Sequence, residues 1–420
     1  MVCWLRSSTL LALASLAGCS QLFGLDAPVR GDAGGPHDAA ISEDATDGAV
    51  ADDAVSDASA ATIVPLHVPG EVAGTGDVSI QSSMTINTTD LSIGSTLPAG
   101  VTFTAVVQTT GPEVAVLHVR TFTIGAPAVV RVIGLRPLIV IASGKIEIVG
   151  ILDAGAQRDT PGAGGYAIDA GPGKGGPGTH AGSFRDSGGG GGGFGTPGGM
   201  GGLGGFGCSP FALGGAAGVA YGNSTLTSLV GGAGGGTGYA TSCPSLPAGA
   251  GGGAVQLSSA TDILISGKLN AGGGGGGAGL GNNCVQISAG SGGGSGGAIV
   301  LQAPSVSVAG VIAANGGAGG SAGGDPNNDS SPPYVDGEPG QDGQPLLTRA
   351  SPGDDKGRWS AAGGGGGAAT LPAVNGLDDT ECDGNGGGGG GGVGRIVIAT
   401  PSGTSTVVGV ESPAHVSISY

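Results

Sequence analysis

The side chains able to do chemistry are few, and most lie in loops. Four cysteines, Cys208, Cys243, Cys284 and Cys382, stand in glycine-rich or polar stretches. In an exported protein an even number reads as two disulfides, with three possible pairings. Closing each glycine-rich excursion on itself favours Cys208–Cys243 with Cys284–Cys382. A metal site is the rival reading, but no CxxC or CxxH spacing supports it. Asp325, Asn327, Asp329, Ser331 and Asp336 fall at positions 1, 3, 5, 7 and 12 of an EF-type calcium loop. Against calcium, Ser330 stands where that loop needs glycine, Pro332 and Pro333 follow, and helical patterning is absent on either side. A solvated acidic loop is the favoured reading, and no cofactor is expected. His180 near Asp186 and Ser187 is the one neighbourhood with a catalytic residue set, and it sits inside glycine. Gly193–Gly198 matches the dinucleotide fingerprint without a strand before it, and Gly293–Gly297 matches the nucleophile elbow but leads into a strand. With 98 glycines in 420 residues such matches arise by chance.

The element that must position everything else is the run Leu138–Gly155, LIVIASGKIEIVGILDAG. Its second half alternates, Ile146 and Ile148 against Lys145 and Glu147, the period-two signature of a half-buried strand. A bend at Val149-Gly150 precedes a short strand, then Asp153-Ala154-Gly155. The same phrase returns at Ala254–Gly272 and Ala298–Gly316, and a worn copy opens at Arg395–Thr400. A unit of about twenty residues, too short to bury its own apolar face, is the signature of a stacked solenoid. The expected class is therefore all-β. Upstream, Val, Ile and Thr alternate from Ile63 between Gly and Pro punctuation, an N-terminal β region that should cap the stack.

Glycine and proline approach about 30% of the chain, a share that without a period reads as low complexity. Here the glycines come in blocks between strand-forming runs, so they read as built loops. Gly198–Gly207, GGMGGLGGFG, has a strict three-residue period that would align Met200, Leu203 and Phe206 along a polyproline-II helix. Such a helix makes no internal hydrogen bonds and must take partners from adjacent segments. Seven aromatics, Tyr166, Phe184, Phe194, Phe206, Phe211, Tyr221 and Tyr239, fall in this region. They read as glue between glycine layers, or else as a displayed binding surface. The divisions read from composition are 1–18, 19–62, 63–156, 157–250 and 251–420.

The formal charge of −17 argues against nucleic-acid binding. Nine of the acids lie between Asp26 and Asp57, in a stretch of Ala, Asp, Gly and Ser too poor in apolar side chains to fold. Residues 19–62 thus read as a disordered acidic tether. Before it, Arg6 and the apolar run Leu10–Ala17 form a targeting segment too short to span a bilayer. That segment ends in Leu16-Ala17-Gly18-Cys19, which resembles the lipobox of bacterial lipoproteins. The resemblance implies cleavage before Cys19, lipidation of its thiol and amino group, and stable anchoring through two or more acyl chains. Ser20 after the cysteine favours, by the same resemblance, the outer membrane, with the folded part exposed at the surface.

The repeats also resemble rungs of filamentous haemagglutinin-type adhesins, on Ile141-Ala142-Ser143-Gly144-Lys145-Ile146-Glu147-Ile148-Val149-Gly150 and its continuation to Gly155. The resemblance covers some sixty to eighty residues and implies a right-handed parallel β-helix at the cell surface. The rungs here are not consecutive, and a lipobox stands where that family has a secretion domain. The whole is similar to glycine-rich surface lipoproteins of myxobacteria, a likeness that implies no activity. The expected function is non-enzymatic, adhesion or envelope and matrix structure, with surface glycans or matrix proteins as partners besides the membrane. A polysaccharide lyase or glycosidase on a β-helix is the alternative, and a passive spacer is the third reading. Anchoring is directly testable: metabolic labelling with an alkynyl fatty acid should mark the wild type and not Cys19→Ala, which should also leave the membrane fraction or stay unprocessed. Equal labelling of both proteins would end the lipoprotein expectation.

Overall fold

The structure, a computed structural model, describes residues 63–94 and 96–420. The targeting segment 1–18, Cys19 and the tether 19–62 lie outside the described residues. Among the described residues there is no helix, as the absence of helical periodicity predicts. The alternating N-terminal region forms β1 (Asp77–Ile80), β2 (Met84–Asn87), β3 (Ser92–Ile93), β4 (Thr102–Val107), β5 (Glu113–Val119), β6 (Thr121–Ile124) and β7 (Val129–Ile133). The central run breaks at its turns into β8 (Leu138–Ala142), β9 (Ile146–Ile148) and β10 (Ile151–Asp153). The second copy gives β11 (Ala254–Ser259), β12 (Asp262–Ile265) and β13 (Lys268–Asn270), and the third β14 (Ala298–Gln302), β15 (Ser305–Val308) and β16 (Val311–Ala313). The worn copy supplies β17 (Arg395–Thr400), β18 (Thr406–Val407) and β19 (Val410–Ser412), and β20 (Val416–Ser419) follows.

Each copy deals its three strands to three different sheets. These run β20-β17-β14-β11-β8-β5-β4, β1-β6-β9-β12-β15-β18 and β19-β16-β13-β10-β7-β2-β3. All pairings are parallel except β4–β5 and β2–β3, which fold back antiparallel at the N-terminal edges of two sheets. The arrangement is compatible with a β-solenoid-like body. Strict register stacks like on like: Phe122, Ile146, Ile263 and Val306 form one column, and Ile124, Ile148, Ile265 and Val308 the next. All eight are buried in a single apolar cluster. Lys145 and Glu147, between the columns, turn outward and pair with each other at 2.9 Å. The first strands of the copies read as unbroken apolar runs because that sheet is covered on both faces, as parallel sheets usually are. Ile63, Val68, Phe194, Leu226 and Leu229 pack on its outer side. Buried Gln302 fastens this cover, donating to the Val64 carbonyl (2.8 Å) and accepting from Leu66 N–H (3.0 Å).

The three glycine-rich insertions, 154–253, 271–297 and 314–394, all leave after a strand of the third sheet and return to one of the first. They therefore issue from the same corner of successive rungs and lie side by side. Within 188–193 the N–H groups of Gly188 and Gly191 bond Gly202 and Gly199, those of Gly189 and Gly192 bond Gly290 and Gly293, and those of Gly190 and Gly193 bond Gly176 and Gly173. Each neighbour is met again after three residues, the repeat of a polyproline-II helix. The carbonyls of the same run accept from Gly215, Gly218, Gly236, Gly389 and Gly392, on three further segments. A segment with six neighbours has no direction left for a side chain. A methyl on Gly190 would fall on the Ala216 carbonyl oxygen, and one on Gly391 on that of Gly294. Uninterrupted glycine therefore marks the interior of the bundle, as in 188–193 and 386–392, both wholly buried. Segment 290–297 is also interior. It carries Ser291 and Ser295, whose hydroxyls bond the Leu246 carbonyl (2.6 Å) and Ala233 N–H (2.8 Å).

Three substitutions separate these forces. Ile146→Ala should cost about 2–5 kcal/mol through lost burial and a residual cavity. Gly391→Ala should cost about 1–3 kcal/mol or more, because the neighbouring backbone must move. Lys145→Ala should stay within about 0.5 kcal/mol, the usual surface value. Denaturant midpoints equal for Ile146→Ala and Lys145→Ala would contradict the core column, and an unshifted Gly391→Ala would contradict the bundle.

Candidate functional site

The cysteines lie where the glycine segments turn, and they pair differently from the expectation. Cys208 bonds Cys382 (Cα–Cα 4.9 Å) and Cys243 bonds Cys284 (5.6 Å). The expected pairs assumed that each excursion closes on itself. In the bundle, a turn's neighbours are set by lateral packing. The segment before Cys208 lies against 374–377, with Gly376 N–H on the Met200 carbonyl and Leu203 N–H on Asp378, which brings the turn at Cys382 alongside. The turns holding Cys243 and Cys284 meet in the same way, joined also by Ser242 and Gln286.

The acidic loop does not assemble a calcium site. Asp325 is fully buried, and its oxygens accept the N–H groups of Asn327 (3.0 Å), Asn328 (3.2 Å) and Ser330 (2.8 Å). Asp329 closes its own turn on Ser331, and Asp336 accepts instead from Gly281 and Asn282 across the bundle. The spacing that imitates a calcium loop is spent on turn chemistry. Among the described residues no group of three or more His, Cys, Asp or Glu is placed to hold a metal. Ser295, the apparent elbow nucleophile, is buried with its oxygen on a backbone N–H.

His180 and Asp186 do meet, at 2.7 Å, with Thr241 bonded to both and His180 stacked on Tyr239. Asp186 is 1% exposed, and burial raises its pKa against the hydrogen bonds from His180 and Thr241. Ser187, however, bonds Thr179 and the Leu213 carbonyl rather than the imidazole, so no nucleophile is linked to the pair. The pair secures a turn: Asp186 also receives Gly386 N–H on its carbonyl and gives its own N–H to Asn385.

Nearby, a cleft of about 330 Å³ opens between 355–362 and 377–381, lined by Asp355, Arg358, Ser360, Asp378, Asp379 and Glu381. Arg358 bonds Glu381 (2.6 Å) and Ser330 (2.7 Å) and lies over the Trp359 ring. Burial pushes the Asp379 carboxyl up to about 6, with the negative fields of Glu381 and Asp355 adding to it. The aromatics divide between the two roles left open for them. Phe194 is buried against Tyr221, and Phe184 packs with Tyr334 and Trp359, whereas Phe206 and Phe211 meet edge to face on the surface.

The largest feature that composition alone did not reveal is an apolar face. Met200 and Leu203 face outward from one extended segment, as their spacing predicts, but the chain turns at Gly205 (φ +67°) and Phe206 is exposed in that turn rather than on the same line. The adjoining segments carry matching rows at the same interval: Leu213, Ala216 and Val219 on one side, and Leu371, Val374 and Leu377 on the other. Met200 is 47% exposed, Phe206 52%, Leu213 62%, Val219 62% and Leu377 56%. The period-three spacing of these residues was the signal that could have disclosed the two outer rows.

Asp379 generates a pH prediction. A carboxyl whose folded pKa lies near 6, above its ordinary 3.8, contributes stability that is complete below the lower value and is lost as pH rises through the upper one. Asp379→Asn should therefore be more stable than wild type near pH 7, by on the order of 1 kcal/mol once solvent screening is allowed for. The gain should disappear near pH 4. Thermal melts showing the same difference at both pH values would refute the shift. Comparison with family models, with curated proteins and with solved structures finds no match to this chain.

Proposed function

We propose that this chain is a lipid-anchored surface protein of a bacterial outer membrane, with a right-handed β-helical body that holds the glycine bundle as its binding head. It acts by adhesion, not by catalysis. The three-row apolar face carries this reading. Large contiguous apolar patches on soluble domains mark interaction sites, and here the rows are free of charged side chains. Side chains three residues apart on adjacent bonded segments are pre-positioned, so docking freezes little additional backbone. Matrix proteins and surface glycans with apolar faces are the partners this face suits.

The face can be silenced without touching the bundle interior. Met200, Leu203 and Phe206 are changed together to serine, and attachment of the purified protein to alkyl-coated beads is measured beside its thermal midpoint. Attachment should fall by about tenfold or more, equivalent to about 1.4 kcal/mol, while the midpoint stays close to wild type. Undiminished attachment would remove the face from the function and leave the spacer reading.

A further inference from the structure

A second site lies where the bundle joins the β body, and it rests on observations separate from the apolar face. Arg395 opens β17, with its guanidinium tucked against the Phe194 ring, 5.6 Å from the centroid. Its Nη2 donates to the backbone carbonyls of Tyr221 (3.1 Å) and Phe194 (3.4 Å). Nε is enclosed without an acceptor, Nη1 bonds nothing among the described residues, and no carboxylate there pairs with this cation. Five other described arginines do have one, as Arg131 has Asp153 and Arg136 has Glu113, whereas Arg158 and Arg349 have none. The side chain borders a pocket of about 200 Å³, with the hydroxyl residues Thr196 and Ser224 and the apolar groups of Val393, Pro413 and Val416 around it.

A half-buried guanidinium without a counter-charge is costly to hold, and the cost is relieved when an anion docks. Burial correspondingly lowers the Arg395 pKa. With Nε enclosed and Nη2 given to two carbonyls, Nη1 is the nitrogen left to donate, and a carboxylate is the anion with which a guanidinium forms a strong charge-assisted hydrogen bond. Hydroxyl residues beside apolar walls suit the ring of a sugar acid. We propose that the Arg395 pocket binds the carboxylate of a uronic acid. The chain as a whole, at −17, repels anions. Binding here therefore requires the local pairing rather than general attraction.

The test uses the full chain at low ionic strength, titrated with galacturonate and with galactose and followed by calorimetry. Galacturonate should bind the wild type and galactose should not. Arg395→Gln should weaken binding about tenfold or more, the loss expected when a charge-assisted pair is removed. If that variant folds poorly, Ser224→Phe, on an exposed turn, should block the pocket with the β body intact. The proposal is overturned if galacturonate does not bind, if galactose binds as well, or if both variants bind as tightly as the wild type.

Discussion

The fold depends on one unmet need, the hydrogen bonds of glycine backbone that has none of its own. A three-residue-per-turn helix points its N–H and C=O groups outward in three directions each. Burying it is affordable only if every direction meets another backbone. In 188–193 all six directions are met at ordinary distances, for example Gly191 to Gly199 at 2.8 Å and Gly189 to Gly290 at 3.0 Å. Such contact is possible only when no Cβ intervenes. Glycine, normally the residue with most conformational entropy to lose on folding, is here the one that fits where six neighbours close in. The Gly-rich composition that usually signals disorder is instead the requirement for close packing.

That lattice needs its segments delivered in register, and the β body supplies this. Rungs stacked in parallel repeat the same corner, so insertions after β10, β13 and β16 begin and end at matching positions. Loop-closure cost grows slowly with length, which lets rungs with long excursions stack beside rungs with short ones. The body also has a conventional apolar core of isoleucine, leucine and valine. The bundle has almost none, so its cohesion comes from backbone hydrogen bonds and contact, with disulfides at the turns.

What could be read beforehand follows the same division. Period-two alternation at 146–148, 263–265 and 306–308 predicted the buried columns, since a strand's side-chain period is fixed by its backbone. The three-residue period at 198–207 predicted that Met200 and Leu203 face outward, but not the turn at Gly205 that takes Phe206 off their line. Features set by lateral neighbours were hidden. Cys208 could not be matched to Cys382 without knowing which segments adjoin. Asp325 through Asp336 looked like a metal loop because turns and calcium loops draw on the same acidic residues. Arg395 read only as the first residue of a worn repeat, since the absence of a counter-charge is a property of its surroundings. The lipobox at Cys19 lies outside the described residues.

The packing rule also limits where function can reside. An interior glycine segment can display no side chain, and even Ser291 and Ser295 there are committed to backbone partners. Chemistry is therefore confined to the outer rows, the turns and the junction with the β body. The turns hold most of the charged groups, but the carboxylates of Asp325, Asp336 and Asp186 are engaged in fastening backbone. In 198–204 the outward residue can vary at every third position without disturbing the lattice, because the glycines between make the contacts. The outer rows 213–219 and 371–377 keep the same interval with Ala, Pro or Asn at some of the intervening positions. A scaffold of this kind separates stability from recognition: inward-facing backbone sets the fold, and the outward residue is left to meet whatever the surface binds.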